Sequence, residues 1–240
     1  MIPKIIHYCW FGPKKIPGNQ LRYIKEWQKI MPDFEIMLWN EHNSPMHLPY
    51  MTNAFVNKKW ANLSNLARLY ALSKHGGIYF DTDIEVLKDF TPLLSESCFL
   101  GFEDKYVDWD GCINNAVIGA SPDHWFIKEL YDKLIANFNG EEDAHLSSPN
   151  LTTQTLKDLG VTNYGDQKVA DIRLFPTDFF YPYSWHEIFN PDKVTKNSYC
   201  IHRFARSWVD DKLKIENLKF LSKTIYYNLK WKLVKTKFKK

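Results

Sequence analysis

The chain has 240 residues, enough for one large domain with a substantial core or for two small ones. Apolar residues make up 45% and charged residues 25%, an ordinary globular balance with no repeat and no low-complexity segment. No apolar run reaches the roughly 18 residues that span a bilayer. The opening Met1-Ile2-Pro3-Lys4-Ile5-Ile6 lacks the basic-then-apolar order of a signal peptide. The expected location is therefore cytoplasmic. Cys9, Cys98, Cys112 and Cys200 are far apart and lie in apolar runs, which predicts buried free thiols and excludes a Cys-x-x-Cys zinc site. The net charge of +3 is unevenly placed: the last 24 residues hold eight lysines and no acid, leaving −5 for residues 1–216.

In chain order, Ile2 to Trp10 reads as a buried strand, and Pro13 and Pro17 punctuate the loop after it. Leu21, Ile24, Trp27 and Ile30 have helical spacing within Gln20 to Met31. Phe34 to Trp39 alternates as a second strand, and residues 40–58 read as irregular. Leu63 to His75 is a predicted helix stopped by Gly76-Gly77, and Ile78 to Asp83 is a third strand. Short strands follow at Cys98 to Glu103 and Ala116 to Gly119. A helix is expected from His124 to Phe138 and another from Thr152 to Leu159. Ile172 to Phe175 and Tyr199 to His202 are late strands around an aromatic loop that includes Phe179, Phe180, Tyr181, Tyr183 and Trp185. Strands alternating with helices predict an α/β fold.

The most informative stretch is His75-Gly76-Gly77-Ile78-Tyr79-Phe80-Asp81-Thr82-Asp83-Ile84. Alternation along a strand puts Asp81 and Asp83 on one face. Two acids so placed repel unless a cation sits between them, and hard divalent ions prefer such oxygen ligands. Arg68 on the preceding helix adds a partner for a diphosphate. Alone, an Asp-x-Asp is equally a polar turn.

Several ordered blocks resemble bacterial capsular-polysaccharide glycosyltransferases of glycosyltransferase family 32. They are Ile2-Pro3-Lys4-Ile5-Ile6-His7-Tyr8-Cys9-Trp10-Phe11-Gly12, Trp60-Ala61, and Ser64 with Ala67-Arg68-Leu69. Further blocks are Gly76 to Asp83, Gly101-Phe102-Glu103, Asn114 to Ala120, Ile201-His202 and Ser207-Trp208. The likeness spans about residues 2–208. It implies a GT-A type nucleotide-binding sandwich with a mostly parallel central sheet, a nucleotide-sugar donor, Mn²⁺ or Mg²⁺, and retention of anomeric configuration. A UDP-hexose is the expected donor, with a GDP-sugar left open. The expected acceptor is a glycan or a polyprenyl-linked sugar in surface-polysaccharide assembly.

The resemblance also implies roles. Asp83 is the expected direct metal ligand, and Asp81 is expected to touch the ribose or the metal through water. His202 closes the metal–diphosphate site, although the family's His-His-Trp is here His202-Arg203-Phe204. Arg206, Ser207 and Trp208 are candidates to bind and cover the phosphates. Arg68 and Asn65 share a helix face and are placed at the donor sugar and phosphate; the family usually has Asp where this chain has Asn65. Trp10 and Phe11 follow the first strand and are candidates to stack on the nucleobase or to be core. Tyr79 ranks lower, on the expectation that it shares the face of Asp81 only if the strand twists. Asn114 and Asn115 open a strand at the sugar site, and alternation lets one of them face the donor sugar or the acceptor. The catalytic set is Asp81, Asp83, Arg68 and Asn115. Glu103, Asp104, Asp108 and Asp110 form a nearby acidic group that reads as a solvated loop, with one of them orienting the acceptor hydroxyl as the alternative.

Residues 213–240 read as a basic amphipathic tail on a domain of residues 1–212. Leu218, Leu221, Ile225 and Leu229 have helical spacing among lysines, as expected of a helix on an anionic membrane surface. Packing of that helix on the body is the alternative. Nucleic acid is not an expected partner, because the body is acidic. Two other readings of the whole chain are a toxin-like protein glycosyltransferase and a sugar- or nucleotide-binding module with a weakened site.

Overall fold

The computed structural model describes residues 1–104, 112–205 and 218–238. Its strands are β1 (Ile5–Cys9), β2 (Glu35–Trp39), β3 (Gly77–Phe80), β4 (Ile84–Val86), β5 (Cys98–Phe102), β6 (Ile113–Ala120), β7 (Gln167–Val169), β8 (Ile172–Phe175) and β9 (Cys200–His202). Its α-helices are α1 (Gly18–Ile30), α2 (Pro49–Val56), α3 (Trp60–His75), α4 (Trp125–Asn137), α5 (Leu151–Asp158), α6 (Thr177–Phe180) and α7 (Leu218–Val234).

Seven strands form one sheet in the order β2-β1-β3-β6-β5-β8-β7. β1, β2 and β3 are mutually parallel, and β5 and β8 run with them; β6 and β7 run against them. Five of seven strands thus share a direction, and the fold is the GT-A sandwich. The chain leaves β1 for β2 on one side and places β3 on the other. Such a switch point opens a crevice at the carboxyl ends of the strands, where ligands bind in open α/β sheets.

Alternation along β3 divides the core. Ile78 and Phe80 face a cluster that includes Trp27, Phe90, Phe99 and Phe180, covered by α1. Tyr79 faces the opposite cluster, built on Leu63, Leu66, Leu69 and Leu72 of α3 with Phe126 and Leu130 of α4. Between α3 and β3 the chain needs two glycines. Gly76 and Gly77 have φ of +62° and +105°, and a Cβ on either would come within 2.6 Å of Pro122 or of the Ile5 carbonyl.

The same junction is pinned by a histidine. His7 Nε2 lies 2.7 Å from the Gly76 carbonyl, and the Trp39 indole donates to its Nδ1 at 3.0 Å. An indole N–H can only donate, so Nδ1 carries no proton and Nε2 does. Burial pushes the His7 pKa down to about 4, against the pull of the Gly76 carbonyl.

Several boundaries differ from expectation. Residues 40–58 are not wholly irregular: Pro49 starts α2, which buries Tyr50, Met51 and Ala54. The first strand is shorter, Ile5–Cys9 instead of Ile2 to Trp10. β6 begins at Ile113, three residues before the expected strand. β3 ends at Phe80, so the two aspartates stand on a turn closed by the Ile84 N–H donating to the Asp81 carbonyl at 3.1 Å. Cys9, Cys98 and Cys200 are buried free thiols, and Cys112 is half-buried.

β4 and β9 pair antiparallel in a separate ribbon, with Ile84 opposite His202. Buried Glu85 on this ribbon accepts bonds from both the Arg203 guanidinium and, at 3.1 Å, the Trp231 indole of α7. Trp231 is buried against Leu87, Tyr183, Phe189, Val194 and Ile201. Lys230 adds an ion pair to Asp192 at 2.7 Å. The last turns of α7 therefore pack on the body, while Ile225, Tyr226, Leu229 and Leu233 stay exposed. Among the described residues, no helix is long and apolar enough to cross a membrane.

Candidate active site

The candidate site lies at the edge where β1, β3 and β5 end and β6 begins. Asp81 takes its place first through the backbone, its N–H donating to the Ala116 carbonyl at 2.9 Å. Its Oδ1 then accepts the Tyr79 hydroxyl at 2.8 Å and Arg68 at 3.4 Å. Tyr79 stands two residues before Asp81, so alternation alone puts the two on one face and no twist is required. The Tyr79 ring also carries the Arg68 guanidinium 4.6 Å from its centroid. Tyr79 is buried, and it holds Asp81 and Arg68 in place; it was expected at the donor itself.

Arg68 is buried and reaches across the layers. It donates to the Ser64 carbonyl at 3.3 Å on its own helix and to the Asn115 carbonyl at 2.7 Å on β6. One side chain thus ties α3, the aspartate turn and β6 together. Asn65 bonds to another segment, its amide donating to the Ala144 carbonyl at 2.8 Å and to Ser147 Oγ at 3.2 Å.

Thr82, between the aspartates, turns inward and donates to Gln20 at 2.9 Å. That leaves Asp83 on the same side as Asp81. Asp83 Oδ2 accepts the Ala205 N–H at 2.7 Å, and Oδ1 lies 3.3 Å from His202 Nε2. Burial by itself would raise the Asp83 pKa, but His202 and the Ala205 N–H hold it below the usual carboxylate range. His202 is the reciprocal case: burial would lower its pKa, but the Asp83 carboxylate raises it.

Asp81, Asp83 and His202 bring one ligand atom each within 4.8 Å of one another. Two carboxylates suit Mn²⁺ or Mg²⁺, and the His202 Nε2 that faces Asp83 adds a nitrogen donor better matched to Mn²⁺ than to Mg²⁺. The residues therefore fit a divalent ion, with proximity created by a turn and the β4–β9 ribbon, not by strand alternation.

Along the edge to either side, Trp10 follows β1 half-exposed, its indole donating to the Lys14 carbonyl at 2.6 Å. Phe11 is buried in the core, so of the two aromatics only Trp10 stands at the crevice. On β6, Asn115 gives its amide to Thr152 at 2.8 Å, and Asn114 gives its own to Glu103 Oε2 at 2.5 Å. Glu103 is not in a solvated loop: it is 6% exposed at the end of β5. Burial raises its pKa, and the Asn114 amide opposes the shift. Arg206, Ser207, Trp208, Asp108 and Asp110 lie outside the described residues.

Comparison with known proteins points to glycosyltransferases. Residues 17–100 match the family model described as a glycosyltransferase sugar-binding region containing a DXD motif. Residues 119–230 match the model of an alpha 1,4-glycosyltransferase conserved region. An uncharacterised glycosyltransferase of Acanthamoeba polyphaga mimivirus is 26% identical, over 95% of this chain and 91% of that protein. The lactosylceramide 4-alpha-galactosyltransferase of Mus musculus is 30% identical over 73% of this chain. This chain spans 47% of the mouse enzyme's length. Among solved structures, the PaToxG glycosyltransferase shares the fold, with a TM-score of 0.53 at 20% identity over 65% of this chain and 69% of that one. The homologues are glycosyltransferases, and the matches support that activity here.

Proposed function

We propose that this protein is a metal-dependent retaining hexosyltransferase that moves a hexose from a UDP-sugar to a glycan or lipid-linked acceptor in surface-glycan synthesis. The observation that carries the reading is the convergence of Asp81, Asp83 and His202 beside Arg68, at the sheet edge where a nucleotide diphosphate would lie. A divalent ion bound there would neutralise the charge that develops on the diphosphate as it leaves. Arg68 would add a fixed positive charge beside the same group, and Trp10 would stack on the base. Asn115, whose Oδ1 is open, would face the hexose one strand beyond Asp81, while Asn114 holds Glu103. That the mouse relative is named for a glycolipid acceptor and an alpha-1,4 linkage favours a lipid-linked galactoside over a protein acceptor.

The test is nucleotide release from a panel of UDP- and GDP-sugars with Mn²⁺, with and without EDTA. The expected result is turnover of one or more UDP-hexoses that EDTA abolishes and excess Mn²⁺ restores. Turnover indifferent to EDTA would sink the metal-dependent mechanism.

We further propose a cytoplasmic protein that rests peripherally on an anionic membrane through α7. Ile225, Leu229 and Leu233 recur every four residues beside Tyr226, all exposed, while Trp231 fixes the helix to the body. Lysines flank the stripe and no acid follows residue 216. Replacing Ile225, Leu229 and Leu233 together by Gln should abolish co-sedimentation with phosphatidylglycerol vesicles and leave binding of UDP unchanged. Undiminished co-sedimentation would remove the membrane assignment.

A further inference from the structure

Glu103 is not used by the reading above, and its surroundings single it out. Among the described residues, six buried side-chain polar atoms lack a hydrogen-bond partner, and three of them flank the aspartate turn: His202 Nδ1, Asn115 Oδ1 and Glu103 Oε1. Native folds rarely leave such atoms unpaired, and each case calls for an explanation. The first is on a residue of the metal cluster, whose Nε2 faces Asp83. The other two are oxygens, and their natural complement is a group rich in O–H donors.

The sheet order says which part of a sugar nucleotide would meet them. From β3, which ends in Asp81, the next strand is β6 with Asn115, and the next is β5 with Glu103. Neighbouring strands are about 4.8 Å apart, so Glu103 stands on the order of 10 Å along the edge from Asp81. A diphosphate held at Asp81 and Asp83, with its base toward Trp10 on the opposite side, would extend its hexose in this direction. The path is also continuous in bonds: Asp81 to Arg68, Arg68 to the Asn115 carbonyl, and the adjacent Asn114 to Glu103.

Glu103 is held for a purpose of this kind. Its N–H donates to the Cys112 carbonyl at 2.8 Å, and its Oε2 is fixed by the Asn114 amide. Asn114 is itself fixed, its Oδ1 accepting the Ala116 N–H at 2.7 Å. Oε2 is thereby committed, the Trp185 backbone N–H also stabilises the carboxylate, and Oε1 keeps the lone-pair capacity to accept a hydroxyl. We infer that Glu103 is a specificity-determining residue of the donor-sugar subsite, its Oε1 accepting a hydrogen bond from a hydroxyl of the hexose to be transferred. The inference rests on the proposed function, whose donor it narrows to sugars carrying a hydroxyl at that position. A site built to bond a substrate hydroxyl discriminates strongly against analogues that lack it.

The test measures binding by calorimetry with Mn²⁺, using UDP, UDP-galactose, UDP-glucose and UDP-galactose analogues each lacking one hydroxyl. In Glu103→Gln the Asn114 contact keeps the side-chain oxygen and turns an NH₂ toward the hexose, replacing an acceptor by a donor. Glu103→Asp keeps the charge and shortens the reach. UDP should bind wild type and both variants within twofold. UDP-galactose or UDP-glucose should bind Glu103→Gln at least about tenfold more weakly than wild type. One deoxy analogue should lose affinity for wild type while being indifferent to Glu103→Gln, the non-additivity of a direct contact. Equal losses for UDP and UDP-sugar, or fully additive effects for every analogue, would overturn the inference and leave Glu103 a structural partner of Asn114. A defect confined to transfer, with donor binding intact, would also overturn it and move Glu103 to the acceptor. If wild type binds neither UDP nor any UDP-sugar, the proposed function itself fails, a result distinct from every other.

Discussion

Two buried polar clusters hang on the same central strands, and they are built on opposite terms. Around His7, every polar atom is answered: the Trp39 indole meets Nδ1 and the Gly76 carbonyl meets Nε2. At the carboxyl edge, His202, Asn115 and Glu103 each keep one buried atom unanswered, beside two aspartates turned the same way. A satisfied network rigidifies a fold, and an unsatisfied one costs stability unless a ligand completes it. The first cluster orders the glycine junction that aims β3; the second is what β3 is aimed at.

The contrast can be broken most sharply at Asp83. Asp83→Ala should lower turnover about 10³-fold, the loss expected when one group that stabilises developing charge is removed. It also strips His202 and the Ala205 N–H of their partner, so a fall of several degrees in melting temperature accompanies the loss of turnover. Turnover and melting measured on the same preparation decide this, and a large fall in melting with little change in turnover would make the edge cluster structural.

At His7 the prediction runs the other way, and it concerns pH. A histidine whose folded pKa lies below its unfolded value takes up its proton more readily when unfolded. Stability is therefore fully present above pH 6.5 and is lost as pH falls toward 4, by about 3 kcal/mol from His7. Urea titrations at pH 7 and pH 4.5, compared between wild type and His7→Asn, isolate that share. Trp39→Phe removes the donor to Nδ1 and should cost about 2 kcal/mol at pH 7 without changing turnover per folded molecule. If Trp39→Phe lowers specific turnover instead, the two clusters are not separable.

The smallest expected effect sharpens the comparison at His202. Asp83 raises its pKa, so a proton competes with any metal for the ring. Apparent Mn²⁺ affinity should fall as pH drops through that raised value, by at most about tenfold per pH unit. Titrations of Mn²⁺ by electron paramagnetic resonance between pH 6 and 9 read this directly, and a flat profile would take His202 out of the ligand set.

Much of the framework is legible in residue order. The 3–4 spacing of Leu66, Leu69 and Tyr70 marks α3, the Gly76-Gly77 pair marks its end, and alternation marks β2. These are local effects, so neighbouring residues suffice to reveal them. Asp81 and Asp83 are also legible as a pair, although what aligns them is a turn with Thr82 pointing inward. The rest depends on partners distant in sequence. That Arg203 answers Glu85 explains why this chain reads His202-Arg203-Phe204, and the pairing of β4 with β9 cannot be seen from either segment. Glu103 looked solvent-facing because acids follow it; its burial comes from β6 and Asn114, which composition does not encode. The apolar stripe on α7 was visible, but only the fold shows that Trp231 and Glu85 hold the helix down while Ile225, Leu229 and Leu233 stay outside.

The β4–β9 ribbon has a consequence for the order of assembly. Asp83 and His202 come from distant parts of the chain, and a loop that long closes late, after local helices and the β1–β3 pairing have formed. A chain ending before Cys200 would lack His202, one of the three groups that could hold an ion. Completing the ribbon also seats Arg203 and Trp231, so the last step that finishes the site is the one that docks α7. Competence to react and attachment of the C-terminal helix would then be acquired together, and an unfinished copy would be inert.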